Sequence, residues 1–593
     1  MNILKGRMGF LVLMVLSVSL LTPGVFAAPR LIANSADWKD VYSTMLYGRL
    51  KNYETSFLTS TPHARLILNT IPHDVEEIVV HSSIRNPFVN NYESILLSEG
   101  FDNVEQIRSN NFNLELLDDL PDITKFIIID PSYGYNAISV APFAVLGHYY
   151  VLFVDETNLP RVDAALSART VHEIVLYGIL DRTVRDTFSR YNPIVINTGD
   201  RFDNNIEITK MYQELHKDIR GAPRKQVLLT NGEFIEASFF TGADPVLFIG
   251  YSNVPEQVRE YLKSSAFEVG TLIGNELIGT GTFVKRQTGL SVFVKFGQGA
   301  RSPSGPVARV EDLDRFPLPV YNLNLDVVSA TINTATQRLE ITYQNLAEIG
   351  SYLQNILLRL NIDDESYVIP DDSDPIFIDG NSFKTLVFEL KDAEGNDIPF
   401  QGSNNITLDV SAIYGESSKS LEQTLDKTLV VEKVTVMDEA SIELLDAVYS
   451  KRDKGFYITV KNIGTVEAYA AAEIYDLYVN TLYGVYGSER TILLKKGETG
   501  KIFVPVELVE EDIANNEKIN VRVLYGQREN ALIKSVSGVF EFKYSSPDLA
   551  VYVLIALVVL LLLLLFLRKK CKNCGYKNPI LRKTCKKCKE PLR

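Results

Sequence analysis

Cysteine is missing from the first 570 residues of this 593-residue chain. Disulfides are excluded from nearly the whole molecule, so whatever folds there is held by packing, and a small disulfide-stapled module is ruled out. Histidine is scarce too: His63, His73, His81, His148, His172 and His216 are the only six, and no two stand as His-x3-His. HExxH, GxSxG, a phosphate-binding loop and repeated carboxylate pairs are all absent, so the chain reads as a non-enzyme. Asp130 and Asp155 follow apolar strands, where open α/β sheets place ligands. Without a histidine or nucleophile partner they read as turn formers; a surface hydrolase using them is the catalytic alternative. "GTGTF" (279–283) lacks the third glycine of a dinucleotide fingerprint and reads as a turn beside a strand. Asn405-Ile406-Thr407 is the sole N-glycosylation sequon.

Basic charge is thin except at the ends. Residues 568–593 hold eleven Lys and Arg against Glu590 alone, and Lys5 and Arg7 precede the first apolar run. With a total of −14, the stretch between carries about −26. Such a body repels nucleic acid and anionic polymers at long range, and nucleic acid is disfavoured as a partner.

Long apolar runs are also few. "MNILKGRMGFLVLMVLSVSLLTPGVFA" has a basic start, an apolar run from Phe10 to Leu21, and small residues Val25 and Ala27 before a cut, so residues 1–27 read as a signal peptide. An uncleaved anchor is the alternative. "LAVYVLIALVVLLLLLLFL" (549–567) has nineteen residues and no charge, enough to cross about 30 Å of hydrocarbon as a helix. Asp548 precedes it, and Arg568, Lys569, Lys570 and Lys572 follow; the basic flank faces the cytoplasm. The expectation is a single-pass type I protein of the cell membrane, with residues 28–548 extracellular and 568–593 cytoplasmic.

That topology puts all four cysteines on the reducing side. Cys571-x2-Cys574 and Cys585-x2-Cys588 are separated by ten residues, the spacing of two metal knuckles. Four thiolates satisfy one tetrahedral Zn²⁺ with no open position, which makes the site structural; iron is the alternative metal. The tail resembles the short zinc-ribbon family, with Gly575 at the first turn and Lys589 where a second glycine stands in that family.

Between the ends, one unit recurs. "LIANS", "TSFLTS", "EEIVVHS" and "VEQIR" alternate with helical stretches in residues 31–108. "KFIIIDP", "YVLFVD", "HEIVLYG" and "PIVIN" do so in 125–197, and "KQVLLTN", "PVLFIG", "EVGTLIG" and "LSVFVKFG" in 225–297. Short all-apolar strands alternating with helices predict parallel sheets covered on both faces. Three flavodoxin-like α/β repeats are expected at 28–124, 125–222 and 223–300, with "FIEASFFTG" (234–242) as the first helix of the third. This order resembles the type 2 cell wall-binding repeat family of bacterial and archaeal cell surfaces. "NTGDRFDNNIEITKMY" (197–212) carries the likeness most specifically, through Gly199, Asp200, Arg201 and Phe202 before a helix. The resemblance implies three repeats packed as a pseudo-threefold trimer and attachment to anionic wall polymers.

"RSPSGPVARVEDLDRFPLPV" (301–320) is rich in Pro and charge and reads as a linker. Beyond it, "RLEITYQN" (338–345) and "GFYITVKN" (455–462) match at an offset of 117, as do "FKTLVFEL" (383–390) and "GKIFVPVE" (500–507). A duplication is expected, giving two immunoglobulin-like β-sandwiches at 321–435 and 436–546. "ITVKNIGTVEAYAAAEI" followed by "KKGETGKIFVPV" resembles the CARDB family of cell-adhesion domains, with Asn462 and Gly464 at the turn and Asn345 in the matching place.

The expected function is a membrane-anchored surface protein with a structural, envelope-binding or adhesion role, meeting an envelope polymer or surface protein outside. Its zinc ribbon would dock a cytoplasmic protein or the anionic inner leaflet. The alternative is a receptor or sensor whose α/β repeats bind an external ligand and signal to a cytoplasmic partner.

Overall fold

The computed structural model describes residues 28–302, 309–403, 405–544, 562 and 567–592. The signal peptide predicted at 1–27 lies outside the described residues, as does the membrane span predicted at 549–567 except Leu562 and Leu567. Among the described residues no helix is long and apolar enough to cross a membrane. The chain divides into two compact units, Met1–Asp438 and Glu439–Arg593.

The first unit opens with three four-stranded, all-parallel sheets. Strands β1 (Arg30–Asn34), β2 (Glu54–Phe57), β3 (Ile78–Ser83) and β4 (Val104–Ser109) lie in the order β2-β1-β3-β4. Strands β5 (Lys125–Ile129), β6 (Tyr149–Phe153), β7 (Glu173–Tyr177) and β8 (Ile194–Ile196) repeat it as β6-β5-β7-β8. The third sheet is β11-β9-β12-β13, from β9 (Gln226–Thr230), β11 (Val246–Phe248), β12 (Val269–Ile273) and β13 (Ser291–Lys295). Runs such as Phe126–Ile129 are wholly apolar because helices cover both faces of the sheet, and these side chains are buried.

The three sheets share a core. Tyr42, on helix α1 (Trp38–Leu50), meets Phe153 of the second α/β repeat edge-on at 5.4 Å and Phe240 of the third at 5.1 Å. Two buried asparagines tie each sheet to the next. Asn113 donates to Val151 O and accepts from Phe153 N, while Asn205 donates to Val246 O and accepts from Phe248 N. Each thereby satisfies the backbone of the neighbouring sheet's edge strand, β6 or β11, which would otherwise be unpaired in the core.

Three local expectations are corrected. In the third α/β repeat the helix predicted at 234–242 is absent; β10 (Phe234–Ile235) and a 3₁₀ turn (Ala237–Phe240) replace it, and Phe234, Phe239 and Phe240 are buried instead of forming one helical face. "GTGTF" is not a turn: it lies inside the helix Ile278–Thr288, where Gly281 lets the helix approach Leu272. The predicted linker is not free either. Strand β14 (Gly299–Ser302) pairs with β15 (Arg309–Asp312), and β16 (Phe316–Pro317) pairs with β10. Phe316 and Leu318 are buried in the shared α/β core, with Phe316 against Phe57 at 5.8 Å. Its prolines and charges obscured the two apolar side chains that anchor it.

Sheets of mainly antiparallel strands follow, with β17 and β25 the one parallel pair among the described strands named below. In the first unit β17 (Leu325–Asn333), β18 (Arg338–Asn345), β22 (Phe383–Glu389) and β25 (Glu432–Val434) form one sheet. The other contains β19 (Ser351–Ile362), β20 (Glu365–Ile369), β21 (Ile376–Ile378), β23 (Ile406–Gly415) and β24 (Leu421–Val430). The second unit repeats the arrangement from β26 (Ile442–Ser450) to β33 (Lys534–Glu541), without a described strand in the place of β25; its sheets are β26-β27-β31 and β29-β28-β32-β33, with β29 at Leu482–Gly487. Within it, β27 (Gly455–Asn462), β28 (Ala468–Val479), β31 (Thr499–Pro505) and β32 (Lys518–Gly526) correspond to β18, β19, β22 and β23. The duplication reaches single hydrogen bonds. Asn345 donates to Ile349 O and Ile378 O and accepts from Ala347 N; Asn462 donates to Val466 O and Leu494 O and accepts from Gly464 N. Both asparagines are fully buried.

Candidate metal centre and a buried charge site

In the tail, Cys571, Cys574, Cys585 and Cys588 come together: their sulfurs all lie within 4.8 Å of one another. Cys571 and Cys588 are 3.6 Å apart, and Cys574 and Cys585 3.4 Å. A tetrahedron of thiolates at about 2.3 Å from one ion needs sulfurs about 3.8 Å apart, so small shifts of these sulfurs would seat a metal. The two knuckles turn alike. Gly575 N donates to Cys571 O at 2.9 Å and Lys589 N to Cys585 O at 3.0 Å, with φ of +69° and +58° at the two residues. The lysine therefore takes the left-handed conformation that glycine takes in the first knuckle. Buried Asn578 donates to Cys585 Sγ at 3.5 Å and accepts from Lys586 N at 2.9 Å, linking the knuckles outside the ligand set.

The strand-end acids and the histidines singled out by sequence serve local structure. Asp130 accepts from Ser132 N, and Asp155 from Thr157 N and Asn158 N, so both sit in local turns. Buried His81 stacks on Phe112 at 4.8 Å, and its burial pushes the imidazole down to about 3, leaving it neutral. His63 accepts from Thr59 N, and His216 contacts Ala222 O. Asn405 donates its backbone N–H to Ser403 Oγ.

Sequence reasoning singled out Asp200 and Arg201 but missed the buried charge site that they form with a distant hairpin. Asp200 caps helix α2 (Arg201–Arg220) by accepting from Phe202 N and Asp203 N. Its other oxygen accepts from Ser417 and Ser420, at the tip of the β23–β24 hairpin of the first sandwich. Arg201 ion-pairs with Glu422 and Glu416 of the same hairpin, and its guanidinium lies 4.0 Å from the centroid of Tyr135. The side chain of Arg201 is 9% exposed and that of Glu422 4%. Burial works against all three charges: it pushes Glu416 up to about 8 and Glu422 upward, while the two glutamates hold Arg201 protonated.

Backbone contacts complete the seat. Ser252 N and Asn253 N donate to Glu422 O at 3.2 and 3.0 Å, and Asn253 Nδ2 donates to Leu421 O at 2.6 Å. A Cβ at Gly250 would come within 2.6 Å of Glu422 O, so only glycine allows the hairpin to approach. The sequence did contain a signal. Asp200-Arg201-Phe202 recurs as Asp314-Arg315-Phe316 and, without the charges, as Asn110-Asn111-Phe112. All three phenylalanines are buried. Arg315 repeats the arrangement within the third repeat, pairing with Glu276 at 3.0 Å and lying 5.2 Å from the Phe234 centroid.

No family model matches the chain, and no curated protein matches it. Among solved structures it is similar to Cwp8 from Clostridium difficile, with 13% identity and a TM-score of 0.35, over 45% of this chain and 48% of that one. Cwp6 from Clostridium difficile gives 13% identity and a TM-score of 0.36, over 45% of this chain and 44% of that one. The chain thus spans about half the length of each.

Proposed function

We propose that the protein is a single-pass, membrane-anchored cell-surface protein with a structural, envelope-binding or adhesion role, and that it is not an enzyme. The α/β repeats, of the flavodoxin-like and type 2 cell wall-binding kind, stand outside, as do the two CARDB-like sandwiches. The tail binds one structural Zn²⁺ through Cys571, Cys574, Cys585 and Cys588 on the cytoplasmic side. There its eleven basic residues favour the anionic leaflet, at about 1 kcal/mol each near the surface, and leave the ribbon's outer face for a cytoplasmic protein.

The observation that carries this reading is the confinement of every cysteine to one metal-type cluster beyond the apolar run 549–567, with none in the large acidic body. A thiol cluster of this kind persists in a reducing compartment, and a body without cysteine needs no oxidising one. Protease added to intact cells expressing the full chain tests it. Release of a fragment reaching at least the second sandwich, with a C-terminal tag protected, is expected; a body protected until the cells are lysed contradicts it. The receptor reading keeps one specific support, the cavity of about 380 Å³ beside Arg201.

A further inference from the structure

The second sandwich has two ends, and strand register fixes what lies at each. Strand β33 runs to Glu541 and the chain continues to Tyr544; Lys518 of β32 pairs with Glu541, and Asn520 with Tyr475 of β28. Strands β28 and β29 join through Asn480 and Thr481, so this turn lies at the same end as Tyr544. So does the helix Glu510–Asn515: Asn480 N donates to Asp512 Oδ1 at 2.9 Å, and Asn516 Nδ2 donates to Tyr478 O at 2.7 Å. Tyr544 itself bridges to Tyr449 near the end of β26.

Four residues, 545–548, separate Tyr544 from Leu549, where the apolar run begins. Five extended steps of chain reach at most about 18 Å, and a headgroup layer is about 5–8 Å deep. An anchored chain therefore keeps this end of the sandwich close to the headgroups. Leu493, which pairs with Tyr469 of β28, lies about 30 Å away at the far end, nine residues of strand from Tyr478.

The near end exposes apolar side chains from three separate segments: Tyr483 is 70% exposed, Tyr544 46% and Val509 42%. The tip that carries Tyr483 is held out firmly. Asn480 and Thr481 both take left-handed backbone, with φ of +50° and +75°, where a branched residue is disfavoured. Buried Asp512 and Asn516 support that turn through the hydrogen bonds above. Tyrosine suits a headgroup layer, where its ring meets apolar surroundings and its hydroxyl stays wet. The surface is not a basic one: Lys451 pairs with Glu510 and Lys454 with Glu507, while Glu511, Glu517 and Glu541 are exposed at the same end.

We propose that this end of the second sandwich rests on the outer lipid surface, with Tyr483, Val509 and Tyr544 seated among neutral or zwitterionic headgroups. Three points of contact fix how the sandwich stands on the membrane. The inference rests on the membrane-anchor reading, because the apolar run is what brings lipid to this end.

The full chain in phosphatidylcholine nanodiscs, with and without bromine high on the acyl chains, tests it. Trp38 is the only native tryptophan, and its emission, measured on the unsubstituted chain, is subtracted. The indoles introduced by Tyr483→Trp and Val509→Trp should each lose about half or more of their emission in brominated lipid, and that of Leu493→Trp at the far end should lose little. Thermal melting checks that each variant is folded; if Tyr483→Trp does not fold, Val509→Trp carries the test. Replacing part of the lipid with phosphatidylglycerol should leave the quenching unchanged or lower it, and a rise contradicts a neutral-lipid contact. Co-elution of protein with lipid reads the anchor separately. A chain not retained on the disc overturns both readings. A retained, folded chain whose near-end indoles are unquenched, or are quenched no more than the far-end one, overturns this inference alone.

Discussion

Residues 28–544 contain no cysteine and bury their apolar side chains in four clusters, whereas among residues 567–592 only Cys571, Asn578 and Cys585 are buried. The body has enough chain to exclude water from cores of Phe, Ile, Leu and Val. The tail has 26 described residues, too few for such a core, and its interior consists of metal ligands and one asparagine. The difference shows how one chain can use opposite means of folding in succession. Each means would suit the compartment proposed for it: packing works anywhere, thiolate ligation only where thiols stay reduced.

Removing the metal should break the comparison most sharply. Chelation of the full chain is expected to unfold the tail, where the proposed structural zinc would contribute on the order of 10 kcal/mol, while the body's thermal transitions stay in place. Calorimetry with and without chelator checks this, and a shift of the body's transitions would show that the two regions are not independent. Cys588→Ser should abolish the site with the same outcome.

Within the body, the buried charge site is the next most sensitive point. Arg201→Ala leaves Glu416 and Glu422 facing one another without a cation and should cost about 3–5 kcal/mol in urea unfolding of the first unit. Combining Arg201→Met with Glu422→Leu and Glu416→Gln should recover most of that loss, because desolvation offsets much of an ion pair's attraction.

The matched asparagines give an intermediate effect. Asn345→Ala and Asn462→Ala each orphan two backbone carbonyls and one N–H in a core, and each should cost roughly 2–3 kcal/mol. The two losses should be equal within error; a large inequality would mean that the copies have diverged in how they hold this turn. The smallest effect lies in the tail. Lys589→Gly relieves a left-handed lysine and should tighten metal binding by about 1 kcal/mol in a chelator competition.

Much of this was legible in the sequence for one physical reason: periodicity and spacing report local geometry. Apolar runs such as Phe126–Ile129 marked strands covered on both faces, the 117-residue offset marked the duplicated sandwiches, and the Cys spacing marked the knuckles. What stayed hidden depends on contacts between distant residues. Glu416 and Glu422 look like a solvated hairpin tip until Arg201, more than 200 residues earlier, is placed against them. Phe316 sits in a charged, proline-rich stretch and reads as linker, yet it packs on Phe57. Asn113 and Asn205 look like ordinary polar residues until the edge strands they satisfy are brought beside them.

The central claim is that a cysteine-free body stands outside the cell and a metal-bound tail inside. Because all four cysteines belong to the tail, labelling of the native chain with a membrane-impermeant maleimide tests it without any substitution. Intact cells expressing the protein should show no labelling even with chelator present, and permeabilised, chelated cells should show labelling at Cys571, Cys574, Cys585 and Cys588. Labelling of these cysteines on intact cells would contradict the account.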